Sequence, residues 1–182
     1  MKTSPAVAKS YAKALFELAR ERQQSEQIGV EVERAAGVVR DDPALGAVLG
    51  RPWIGGADKR AVAGEIAQRL QLSALGRDFL ALVAAQGRAD HLGAIALAYR
   101  DLLDAEQGRV RARVRTAVPL TESDRAALGA RLGRALGGKR VLIDEVLDTN
   151  LLGGFVAEIG SLIVDGSLNG QLSRLRERLT HG

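Results

Sequence analysis

The chain has 182 residues, of which 26% are charged and 46% hydrophobic, with no cysteine and a formal charge of +4. That balance is ordinary for a globular protein of one domain or two small ones and excludes a disordered chain. No apolar run approaches the roughly 20 residues needed to span a bilayer, and without cysteine there is neither a disulfide nor a thiolate site. A pI near 9.8 leaves nucleic acid or an acidic protein surface open as partner, with the basic excess falling mainly in the second half.

Ser4-Pro5 is a helix-start signal, a hydroxyl to cap and a proline where its missing N–H costs little. Val7, Tyr11, Leu15 and Leu18 then form one apolar stripe, and Ala8, Ala12, Phe16 and Ala19 a neighbouring one. So wide an arc belongs either to a helix central to its own bundle or to one that also offers a groove to a partner helix. Glu17, Glu21 and the regular spacing fit a folded helix rather than a removed leader. A second helix is expected from Ser25 to Arg40 on Ile28, Val32, Ala35, Ala36 and Val39. A short third follows Asp42-Pro43, where the carboxylate reads as a cap rather than as half of an acid/base pair. Trp53, in the next loop, reads as the cover of a core end or as an exposed recognition residue.

Asp58 is expected to cap a fourth helix on Val62, Ile66 and Leu70. Ser73 opens a fifth, with Leu75, Phe79, Leu82 and Val83 inward and Gln86-Gly87 closing it. A sixth runs from about Asp90 through Leu92, Ile95, Tyr99 and Leu103. At Gly108 the period changes from helical to alternating. Val110, Ala112 and Val114 take one face of a strand, and Arg109, Arg111, Arg113 and Arg115 the other. Four guanidinium groups in a row are either a solvated face that also protects a sheet edge, or a surface for phosphates or an acidic protein. The stretch has no interleaved aromatics, which counts against single-stranded nucleic acid.

Thr121 is expected to cap a seventh helix, with Asp124 at the capping-box position. Residues 133–140, GRALGGKR, satisfy the glycines and lysine of a phosphate-binding loop. Arg140 stands where a hydroxyl should meet magnesium, however, and a helix precedes the glycines instead of following them, so the stretch reads as a helix-ending turn. Arg140 to Leu147 is a strand with Val141, Ile143 and Leu147 on one face and Glu145 as an unexplained exception. The two histidines, His91 and His181, form no compact ligand pattern.

The most instructive stretch is Asp148 to Leu175. Leu151-Leu152 lead into Gly153-Gly154, a strand from Phe155 to Ile159, a turn at Gly160-Ser161, a returning strand and Asp165-Gly166. Ser167 then caps a helix on Leu168, Leu172, Leu175 and Leu179, with Arg174, Arg176, Glu177 and Arg178 mostly off that stripe. Together with Tyr11-Ala12-Lys13-Ala14 in the first helix, this stretch closely resembles the delta subunit of bacterial F-type ATP synthases, counterpart of the mitochondrial oligomycin-sensitivity-conferring protein. The residues alone predict a mainly α fold, a six-helix N-terminal domain (1–105) followed by a small α/β C-terminal domain (106–182), without a visible catalytic centre.

The resemblance implies a non-catalytic stator subunit without cofactor or nucleotide of its own, tying the catalytic head to the b-type peripheral stalk at the cytoplasmic face of the bacterial membrane. It implies that an alpha subunit's amphipathic N-terminal helix enters a groove of the first and fifth helices, for which Tyr11, Ala14, Leu15, Leu18, Phe79, Leu82 and Val83 are the candidates. The C-terminal domain would meet the stalk, with the face of Arg109, Arg111, Arg113 and Arg115 as electrostatic contributor. Gly153, Gly154, Asp165, Gly166 and Ser167 would be signature residues needed for shape. Two departures, Ser10 before Tyr11 and Asn169 after Asp-Gly-Ser, touch contacts rather than the assignment. The competing reading is a small basic nucleic-acid-binding module using the arginine strand, which predicts steeply salt-dependent binding; an enzyme is a distant third.

Overall fold

The computed structural model describes residues 5–180. Ser4 and His181, singled out above, lie outside the described residues, as do the side chains of Arg174, Leu175, Glu177 and Arg178. The protein is mainly helical, with eight α-helices among the described residues and a four-stranded sheet toward the C-terminus. It divides into two compact units, Met1–Leu103 and Asp104–Gly182.

The first unit comprises α1 (Pro5–Glu21), α2 (Ser25–Asp41), α3 (Pro43–Gly50), α4 (Gly56–Arg69), α5 (Ala74–Ala85), a single 3-10 turn at Ala89–His91, and α6 (Leu92–Glu106), whose last residues pass into the second. Its core is built from small and aliphatic side chains, with Ala12, Leu15, Ala19, Ile28, Leu80, Val83 and Ile95 almost completely excluded from solvent. Tyr99 supplies the bulk that the alanines do not: its ring packs edge-on to Phe16 at 5.5 Å, and its hydroxyl donates to the Ser25 carbonyl at 2.9 Å. A buried phenol without such an acceptor would cost about 1–3 kcal/mol.

The caps show which turns the sequence specifies. Asp42 accepts from the Ala44 and Leu45 amides, and Ser73 from that of Gly76. Asp58 is not a cap. α4 starts earlier, with Gly55 at the cap position, and Asp58 lies in its first turn, where a carboxylate still favours the helix dipole. The buried stripe of α4 also lies beside the predicted one, on Lys59, Ala63, Ile66 and Ala67, since small side chains permit a closer approach to its neighbours. Trp53 covers no core: it is 77% exposed, with the Arg51 guanidinium 5.6 Å from its ring centre.

The second unit is β1 (Arg109–Thr116), α7 (Glu122–Ala135), β2 (Arg140–Leu147), β3 (Phe155–Ile159), β4 (Leu162–Asp165) and α8 (Leu168–Thr180). The sheet order is β2-β1-β3-β4, with β1 and β2 parallel and the other pairs antiparallel. A parallel pair needs a crossover, and α7 provides it, burying Leu128 and Leu132 against Ala112, Val114, Ala157 and Ile159. Thr121 caps α7 by accepting from the Asp124 amide at 3.1 Å, but Asp124 answers by accepting from the Thr121 hydroxyl instead of the backbone. At the other end the GRALGGKR stretch is the helix-ending turn expected of it: Gly137 and Gly138 both take positive φ, and the Gly138 amide donates back to Gly133 at 2.9 Å.

The C-terminal signature is a crossing of two backbones. Gly154 has φ +78°, and a Cβ there would fall on the Gly166 carbonyl. Their closeness allows the Gly166 amide to donate to Phe155 at 2.9 Å and the Leu168 amide to Gly153 at 3.0 Å. Asp165 accepts from the amide and hydroxyl of Ser167, whose oxygen in turn accepts from the Gly170 amide at 3.0 Å and caps α8. α8 forms where its periodicity predicts, but the described leucines of its apolar stripe are not buried, with Leu172 60% and Leu179 76% exposed.

Candidate docking surfaces

α1 and α5 present an open apolar groove of about 410 Å³ in the first unit, lined by Ser10, Tyr11, Ala14, Leu15, Leu18, Leu75, Asp78, Phe79 and Leu82. Tyr11 meets Phe79 edge-on at 6.4 Å across it. The walls are of two kinds. Leu15 and Phe79 are core residues that show an edge to the groove, whereas Leu18 (44% exposed) and Leu82 (50%) are aliphatic side chains left in water. Thus Leu82 does not point inward as its spacing with Phe79 predicted. Val83 is fully buried and absent from the lining, because α5 turns it to the opposite side. Leu75, Ser10 and Asp78 line the groove without having been among its candidates; Leu75 was legible as one turn before Phe79, the two polar residues were not.

The position of α5 is secured by a residue that sequence reading passed over. Glu31, on α2, is buried, and accepts from Ser73 at 2.8 Å and from Gln27 at 2.9 Å. Its carboxylate lies against Gly76, so close that a Cβ at Gly76 would collide with it. A negative charge at the first turn of α5 complements the helix dipole and ties this wall of the groove to α2.

The arginine strand is not the surface its alternation predicts. β1 lies inside the sheet, between β2 and β3, and so guards no edge. Asp104 is buried and receives Arg109 at 2.9 Å and Arg111 at 2.6 Å. Arg115 reaches Asp148 at 3.3 Å and Glu158 at 3.4 Å. The Asp148 carboxyl is held below its ordinary pKa, first by the Asn150 amide that donates to it, then by the Asn150 side chain and Arg115, against the opposing effect of burial. Only Arg113 of the four is exposed, and it makes no ion pair among the described residues. Three of the strand's four positive charges are met within the unit, so β1 itself offers no continuous cationic track for phosphates.

Glu145, the exception on its strand face, is explained by the same logic. It accepts from the Leu120 amide at 2.7 Å, the Thr116 hydroxyl at 3.3 Å and the Arg125 guanidinium at 2.6 Å. Its charge thereby fastens the β1–α7 connection to β2.

An apolar groove between two helices, in one unit, and a separate unit whose strand arginines are largely met from within are the features of a binding protein rather than a catalyst. The family model for the ATP synthase delta (OSCP) subunit matches residues 7–179. The ATP synthase subunit delta of Anaeromyxobacter sp. (strain Fw109-5) is 40% identical over 173 residues, covering 95% of this chain and 96% of its own. That of Nitratidesulfovibrio vulgaris is 36% identical over 182 residues, 99% of each chain. A chain of the Toxoplasma gondii mitochondrial ATP synthase hexamer, solved by cryo-EM, has a TM-score of 0.69 over 95% of this chain and 97% of that one. At 17% identity that likeness is one of fold. The chain belongs to the ATP synthase delta (OSCP) subunit family. It is accordingly a non-catalytic stator subunit of an F-type ATP synthase, and among its described residues no helix is long and apolar enough to cross a membrane.

Proposed function

We propose that the six helices of the first unit act as one head-binding domain, in which the α1–α5 groove receives the amphipathic N-terminal helix of an alpha subunit. The second unit joins the b-type stalk subunits, so that the chain links catalytic head to stalk at the cytoplasmic face of the bacterial membrane and reaches the membrane only through the complex. The observation that carries this reading is the pair of exposed leucines, Leu18 and Leu82, on facing walls of a groove floored by core residues. Because each is already about half buried, covering both on a partner is worth about 1 kcal/mol per side chain before the cost of ordering, and many such contacts must be lost together for the helix to leave under torque. Tyr11, Ala14, Leu15 and Phe79 supply the remaining floor and sides. Val83 acts from the core, setting the helix spacing.

The test is a titration of the isotope-labelled chain with a peptide of the alpha subunit's N-terminal segment, followed at the methyl groups. Saturable shifts at Leu18 and Leu82 are expected; shifts confined to the second unit would refute the placement. The nucleic-acid reading loses its physical basis with the internal pairing of Arg109, Arg111 and Arg115.

A further inference from the structure

α8 is fastened at its start yet leaves its leucines in solvent. The Leu168 amide donates to the Gly153 carbonyl at 3.0 Å and Ser167 caps the helix, but none of its described leucines joins the buried cluster of the second unit. Leu168, Leu172 and Leu179 are exposed, as is Leu152 beside Gly153, where the two backbones cross. With Leu175, the helix leucines follow one another at intervals of four, three and four residues. That is the a/d seam of a heptad repeat, narrower than the stripe with which a helix lies on its own globular core. It fits the surface that meets a 3.5-residue period, which is another helix.

Length and charge select the occupant. α8 has 13 residues and its seam covers less than two heptads, too little for a free-standing pair, since isolated helices below about 12–15 residues are marginal in water. The partner is therefore a helix that is already formed. With Leu168 and Leu175 at d, Arg176 and Arg178 take the e and g positions that flank the seam, while Glu177, the one acid of the helix, takes f, farthest from it. A second copy of α8 would set arginine against arginine, whereas an acidic helix offers the complementary sign. We propose that α8 packs along an acidic helix of a partner subunit as a short two-stranded coiled coil. The proposal deepens the reading that the second unit joins the stalk, and rests on it only for which subunit supplies the helix. The site is separate from the α1–α5 groove.

The experiment uses the full chain, methyl-labelled at leucine, at moderate salt. The probe is a capped three-heptad peptide with leucine at a and d and glutamate at e and g; one control carries lysine at e and g, another serine at a and d. Expected are saturable shifts at the Leu168, Leu172 and Leu179 methyls with the acidic probe and little with either control. Affinity should fall about tenfold or more in Leu172→Ser with Leu179→Ser, and likewise in Arg176→Glu with Arg178→Glu. The methyls of the buried Leu128 and Leu132 should stay where they are, the sign that the unit remains folded. No shift at α8 with millimolar probe, equal binding of the serine peptide or equal binding of the lysine peptide overturns the proposal. So does self-association in sedimentation that the two serine substitutions abolish, which would give the seam to a second copy. Whether stalk subunits bind the chain at all is read separately, by titration with those subunits themselves.

Discussion

The α1–α5 groove and the arginine face of β1 are both periodic patterns written plainly in the sequence, and they end in opposite ways. On α1, the apolar arc is wider than its own unit can cover, and Leu18 is left in water beside Leu82. On β1, three of the four arginines that looked available are met from inside the unit by Asp104, Asp144, Asp148 and Glu158, leaving Arg113 alone in solvent. A period states which side chains share a face. Whether that face is free depends on residues distant in the chain, and Glu158 lies 43 positions from Arg115 in sequence yet pairs with it across the sheet.

The sharpest way to break this contrast is to place charge on either side of the groove floor. Leu15→Asp puts a carboxylate into a fully buried position, and we expect the first unit to lose about 3–5 kcal/mol, read by urea unfolding. Its effect on binding would be indistinguishable from loss of fold. In the second unit Glu145→Leu leaves Arg125 without its closest carboxylate, with only Glu122 at 4.0 Å, and the Leu120 amide without its acceptor. A loss of about 2–3 kcal/mol is expected by the same measurement, and a neutral result would remove Glu145 from its fastening role.

Smaller effects on stability separate surface from core. Leu18→Asp with Leu82→Asp should change stability by about 0.5 kcal/mol or less, because both side chains are already hydrated, while reducing affinity for the head about 100-fold. Arg113→Ala should alter stability by less than about 0.5 kcal/mol, whereas Arg111→Ala, which strips a buried Asp104 of one partner, should cost more; equal effects would mean that the internal pairing is not what distinguishes them. The weakest effect is on acid stability. Because the folded-state pKa of Asp148 is depressed, its contribution is present above the unfolded value and is lost as pH falls through the folded one. Asp148→Asn should therefore flatten the acid limb of the stability profile of the second unit and leave neutral pH dependence unaltered.

Much of this architecture was readable from residues alone wherever the instruction is local. Asp42, Ser73, Thr121 and Ser167 cap the helices they were expected to cap, and the glycines at 137, 138 and 154 take the backbone conformations that only their lack of a Cβ makes easy. Tyr11, Leu15 and Phe79 come together as helical spacing and family resemblance implied. What escaped was non-local. The turn of Leu82 toward water and Val83 toward the core depends on what packs around α5, and one of its anchors, Glu31, lies on another helix 42 positions earlier than Ser73. The central place of β1 depends on a strand order that no stretch of the chain encodes by itself, and Glu145 made sense only once Leu120 and Arg125 were beside it.

In the proposed role the first unit's groove, rather than the arginine strand, fastens this chain to the catalytic head. Calorimetric titration of the full chain into the cognate head stripped of its own delta subunit tests it most directly, with the Leu18→Asp, Leu82→Asp variant in parallel. Saturation near one chain per head is expected for the unaltered protein, abolished by removing the alpha subunits' N-terminal segments and weakened about 100-fold in the variant. Undiminished binding by a variant shown to be folded would contradict it.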